Sequence, residues 1–130
     1  MTRFLLDTDA LIEFSKQREP ASSRIISWIE EGETVGACAI TVAEFAAGLS
    51  ATQLKDWEEF LTSLTYWEIG PHVAMQAGQD RYTFAKQGMA ISITDCLIAA
   101  VARHEQAFVV TGNVKHYPMD DVRVLSLLVG

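Results

Sequence analysis

Short continuous apolar runs alternate along the chain with longer stretches in which apolar residues recur every three or four positions. Residues 3–6 (RFLL) form the first run and break into the polar 7-DTD-9; Leu11, Ile12 and Phe14 then carry helical spacing. Pro20 opens a second helical pattern through Ile25, Ile26 and Ile29, with Gly32 as its stop. Residues 34–40 (TVGACAI) read as a buried strand, and Thr41 starts a third helix containing Glu44, Phe45 and Leu49. A fourth helix runs from about Thr52 to Leu64 with Trp57, Phe60, Leu61 and Leu64 on one face, so that the third and fourth could form a helical hairpin. A short strand over 65–69, a helix over 71–88 with Pro71 in its first turn and Gly88 at its end, a helix over 92–106, and strands over 107–110 and 122–125 complete the pattern. Strands alternating with helices predict a three-layer α/β/α fold with a mainly parallel central sheet, whose ligands gather outside the carboxyl ends of the strands.

The 130 residues fit one domain, 1–130, and the 49% hydrophobic and 21% charged composition is that of a globular chain without a linker or low-complexity tail. Its longest apolar runs, such as 96-CLIAAVA-102, fall short of the ~20 residues a membrane span needs, and no signal-peptide layout opens the sequence. A cytoplasmic protein with no membrane partner is the expectation. Cys38 and Cys96 lie far apart in apolar runs and read as buried free thiols. A formal charge of −7 opposes nucleic-acid binding through a broad positive field. A nuclease with this charge would have to gather its acids around a cation, or borrow basic residues from a partner.

Several acids sit where strands end or helices begin. Asp7 and Asp9 follow the first strand; Asp7 divides evenly between a ligand at the sheet edge and a helix cap, while Asp9 alone reads as a cap or turn residue. Thr41 to Glu44 and Ser92 to Asp95 each fit the capping-box spacing, which accounts for Glu44 and Asp95 without any chemistry. Together, however, Asp7, Glu44 and Asp95 place one carboxylate on each of three elements, where oxygen ligands can converge on a hard cation. Thr111-Gly112-Asn113 follows a strand to the same edge and is also an ordinary polar turn. His116, beside Lys115, reads as a solvated surface residue.

With these segments in view, the sequence resembles the PIN-domain family, in particular the VapC-like toxins of toxin-antitoxin pairs. The likeness rests on LLDTDALIEF at 5–14, ITVAEFAAGL at 40–49, ISITDCLIAAVA at 91–102 and VVTGNVKHYP at 109–118, nearly end to end. It implies a Mg²⁺- or Mn²⁺-dependent endoribonuclease with Asp7, Glu44 and Asp95 as catalytic metal ligands. It also implies Thr111 and Asn113 as groups that orient Asp7 or a metal-bound water. A fourth acid frequent in the family falls here on His116, which puts a complete second metal site in question. The resemblance further implies a homodimer, an RNA substrate and a small antitoxin. Contact with DNA would come only through that antitoxin, which would dock near Phe45, Leu49, Trp57 and Phe60.

Two other functions fit parts of the pattern. A phosphatase of the haloacid dehalogenase type would use Asp7 as nucleophile and Asp9 as acid/base, leaving Glu44 idle. A PIN-like module that binds but does not cut is compatible with His116. Lys16, Arg18, Arg81, Lys86 and Lys115 are candidate RNA contacts, but groove shape rather than sequence decides which RNA is taken.

Overall fold

The computed structural model describes residues 1–128. Its strands are β1 (Arg3–Leu6), β2 (Thr34–Cys38), β3 (Thr65–Trp67), β4 (Phe108–Thr111) and β5 (Val124–Ser126). The helices are α1 (Thr8–Ser15), α2 (Ala21–Glu30), α3 (Ala39–Ala47), α4 (Ala51–Ser63), α5 (Pro71–Lys86) and α6 (Ile93–Glu105), with a short 3₁₀ turn at Val114–His116. All strand pairs are parallel, in the order β3-β2-β1-β4-β5. Apolar layers cover both faces, which is why the strands read as continuous apolar runs. Phe4 and Leu6 turn toward Leu11, Ile25, Val35 and Phe45, whereas Leu5 turns to the other face with Val73, Cys96, Ala99 and Val109. The expected three layers and parallel sheet are therefore present.

Where β2 and β3 adjoin, the Trp67 ring lies over Gly36 so closely that a Cβ there would stand 2.5 Å from ring carbon. Gly36 gives the indole its seat. Helix α4 is fastened by aromatic contacts: Phe14 of α1 stacks on Phe60 at 4.6 Å between centroids, and Trp57 packs edge-on against Phe14 and Phe45. Gly32 and Gly88, at φ +79° and +82°, supply the left-handed turns that follow α2 and α5.

Three boundaries differ from the sequence pattern. β2 ends at Cys38 rather than residue 40, because the Cys38 N–H donates to Thr41 Oγ1 (3.2 Å) while the Thr41 hydroxyl donates back to the Cys38 carbonyl (3.1 Å). Helix α3 consequently starts at Ala39 instead of Thr41. β3 stops at Trp67, and β5 starts two residues later than expected, paired through Val124, Leu125 and Ser126 with β4. Both cysteines are buried and free, as expected. Among the described residues no helix is long and apolar enough to cross a membrane.

Candidate active site

The sheet order places β1 at the centre, with the chain leaving toward β2 on one side and returning to β4 on the other. The carboxyl ends of β1 and β4 thus flank the topological switch point, where α/β sheets open a crevice. Backbone pairing runs up to it, with the Asp7 N–H donating to the Val110 carbonyl at 3.0 Å. A cleft of about 390 Å³ opens there, lined by Asp7, Thr8, Asp9, Ile12, Glu44, Asp95, Asn113 and His116. All three acids singled out from the sequence line this one cleft.

Asp7 is 7% exposed and held at both oxygens. Oδ1 accepts the Thr8 N–H and Oδ2 accepts the Tyr117 hydroxyl, each at 2.6 Å. Tyr117 is itself buried, and burial first, then the Asp7 charge, pushes its phenol far above the ordinary range, so it stays a donor. Asp95 sits in the first turn of α6, whose cap Ser92 accepts the Asp95 N–H at 3.1 Å. Burial raises the Asp95 carboxyl above its ordinary value; the Ser92 bond and His116 oppose the rise, while Asp7 and Glu44 add to it. His116 Nδ1 stands 3.5 Å from Asp95 Oδ2, and its Nε2 lies 2.9 Å from the Asn113 amide nitrogen.

The capping-box explanation of Glu44 fails, because α3 begins at Ala39 and leaves Glu44 in mid-helix with its carboxylate free for another partner. That partner is the Thr8 hydroxyl, donating to Oε1 at 2.6 Å across to α1. Asp9 is not a cap either. It accepts the Gly112 N–H at 2.8 Å and the Thr111 hydroxyl at 3.3 Å, and it faces the cleft as a fourth acid. Burial first and the neighbouring Asp7 charge second raise its pKa, against the pull of the Gly112 and Thr111 bonds. Gly112 permits this approach, since a Cβ there would stand 3.0 Å from Asp9 Oδ2.

Thr111 therefore orients Asp9 rather than Asp7, and it accepts the Asn113 N–H at 3.0 Å with its own hydroxyl. Asn113 reaches His116, so the histidine is part of the site and not a detached surface group. Tyr117 was not among the residues the sequence singled out. Its signal was a tyrosine just beyond the 3₁₀ turn that follows Asn113: a buried phenol needs an acceptor, and Asp7 supplies it.

The donor set is carboxylate oxygen with one amide and one imidazole nearby, chemistry suited to Mg²⁺ or Mn²⁺. As the side chains lie, no three His, Cys, Asp or Glu groups among the described residues close on a common point. The acids line the cleft with a spacing that a cation would have to draw in.

A parallel sheet with acids at its switch point defines a class of α/β proteins with an acidic cleft. The PIN domain profile matches residues 4–122, and the chain belongs to the PIN-domain family. It is VapC-like within that family: it is 29% identical over 133 aligned residues to Ribonuclease VapC2 of Haemophilus influenzae, spanning 98% of this chain and 96% of that protein. Ribonuclease VapC19 of Mycobacterium tuberculosis is 26% identical over 115 residues, 88% of this chain and 92% of the relative. In fold, the chain is similar to the solved structure of VapBC2 from Rickettsia felis bound to a DNA fragment from their promoter. The TM-score is 0.82 at 20% identity, covering 96% of this chain and 98% of that one.

Proposed function

We propose that this chain is a Mg²⁺- or Mn²⁺-dependent endoribonuclease and the toxin of a toxin-antitoxin pair. One observation carries the reading: acids from the β1–α1 junction, α1, α3 and α6 line a single cleft at the switch point of a PIN fold whose curated relatives are named ribonucleases. Asp7, Glu44 and Asp95 would hold the cation, with Asp9 beside them. A bound divalent ion supplies charge neutralisation for the phosphodiester and makes a bound water more acidic. The protein's own groups do the rest. Thr8 and Tyr117 hold the Glu44 and Asp7 carboxylates by donating to them, and Thr111 and Gly112 hold Asp9. Asn113 and His116 stand at the mouth, where both could donate to a phosphate oxygen. The phosphatase alternative is set aside: the family is PIN, and Glu44, idle in that scheme, shares the cleft with Asp7.

The antitoxin is a further part of this reading, supported by the solved VapBC complex to which the fold is similar. Burial narrows where on this region it would dock. Phe45 is 4% exposed and buried in the core, and the partly buried Leu49, Trp57 and Phe60 pack against that core, Trp57 and Phe60 fastening α4 to α1 and α3. They form a floor. The accessible groove lies between α3 and α4, about 490 Å³, lined by Val42, Ala46, Leu54 and Leu61 with Lys55 and Glu58 at its rim. An amphipathic helix of an antitoxin fits such a groove, with DNA met only through that partner. A homodimer is proposed on the exposed apolar side of α5, where Tyr82 shares a groove with Met89 and Ile93 and Met75 is exposed on the same helix. The test of the activity is to incubate the purified chain with total RNA, with Mn²⁺ or with chelator, and to sequence the new ends. Discrete Mn²⁺-dependent cuts support the reading; intact RNA in both arms, with metal bound, leaves the non-cutting module instead.

A further inference from the structure

The end of β4 and the segment after it touch the acids repeatedly: Thr111 and Gly112 hold Asp9, His116 faces Asp95, and Tyr117 reaches Asp7. Of these contacts the last has the least freedom. Tyr117 is 4% exposed, Asp7 is 7% exposed, and the hydroxyl-to-carboxylate distance of 2.6 Å is that of a charge-assisted bond. A carboxylate oxygen has two lone-pair directions. With Thr8 N–H on Oδ1 and the phenol on Oδ2, one direction at each oxygen is taken, and the carboxylate plane is fixed.

We propose that Tyr117 is a positioning residue for the cation site: by clamping Asp7 from the buried side it presents the remaining lone pairs to the cleft and so sets the affinity for the divalent ion. This rests on the function proposed above. The phenol touches neither substrate nor cation; it acts through Asp7 alone. Outer partners of ligating carboxylates and imidazoles contribute about 10- to 100-fold to metal affinity, and Tyr117 has the geometry of such a partner. Phenylalanine at 117 would keep the ring and its packing and delete only the donor.

The test is Mn²⁺ binding, read from the electron paramagnetic resonance signal of free Mn²⁺, for the full chain and for Tyr117→Phe. Circular dichroism and a thermal melt in chelator are run alongside. The expected result is a native spectrum with a Kd for Mn²⁺ weakened about tenfold or more. In RNA cleavage the Mn²⁺ concentration for half-maximal rate should rise by the same factor, while the rate at saturating Mn²⁺ recovers. An unchanged Kd, with or without a lower melting temperature in chelator, makes the tyrosine merely structural and overturns the inference alone. Absence of Mn²⁺ binding by the unmodified protein overturns the metal reading and this inference with it.

Discussion

Replacing three acids at once, Asp7→Asn, Glu44→Gln and Asp95→Asn, should reverse the protein's thermal response to metal. In the metal-free protein four carboxylates share one cleft, and Asp9 and Asp95 are held above their ordinary pKa, chiefly by burial. A raised carboxyl pKa means that ionisation disfavours the native state. The contribution of these groups is most favourable below the unfolded value, near 3.9, and is lost as pH rises through the folded one. The triple variant should therefore melt above wild type in chelator at pH 7, and the gap should narrow as pH falls toward 4. With cation present the order inverts. A ligand that binds only the native state stabilises by RT ln(1 + [M]/Kd), about 2.7 kcal/mol at a hundredfold excess over Kd. For 130 residues the unfolding entropy is about 270 cal/mol/K, so wild type should gain about 10 °C. The variant should gain almost nothing. Differential scanning fluorimetry with Mn²⁺ and with chelator, at three pH values, makes the comparison. Equal metal-induced shifts in both proteins would refute the assignment of these acids as ligands.

Other outcomes follow from single contacts. Gly36→Ala should cost about 1–3 kcal/mol in urea melts, because its Cβ would sit 2.5 Å from the Trp67 ring and the indole must leave its seat; an unchanged midpoint would mean that the sheet relaxes freely there. Glu44→Gln keeps an oxygen to accept the Thr8 hydroxyl, so its circular dichroism should match wild type and its melting in chelator should not fall below it, while Mn²⁺ affinity falls. A loss of stability without a loss of affinity would make Glu44 an interhelix tie and no more.

Much of the fold was legible because the three inner strands β1, β2 and β4 are covered on both faces, which leaves continuous apolar runs such as 3–6, and because the helices carry clear spacing. Boundaries failed where a side chain competes with the pattern: Ala39 and Ile40 look like strand, yet the Cys38–Thr41 exchange turns the chain into α3 two residues early. That shift also removed the best structural excuse for Glu44. At the site, Asp7 and Asp95 were legible as acids at element ends, and Glu44 as the third acid of the set although it lies in mid-helix. Asp9 was not, since only the approach of Gly112, over a hundred residues away, separates it from an ordinary cap. Tyr117 escaped for the same reason, and His116 was legible only as the position of a missing acid: their contacts depend on Asp7 and Asp95, brought in from beyond β1 and from α6, which no local spacing encodes.

The central claim, that acids in this cleft hold a cation needed to cut RNA, is tested most directly by cleavage of a mapped RNA substrate by wild type and Asp95→Asn across a Mn²⁺ titration. Asparagine keeps the shape of Asp95, and its backbone N–H can still donate to Ser92. The account predicts metal-dependent cutting by wild type, none by the folded variant, and no recovery by added Mn²⁺. A folded Asp95→Asn protein that cuts at the wild-type rate, or wild-type cutting that persists undiminished in chelator, would contradict it.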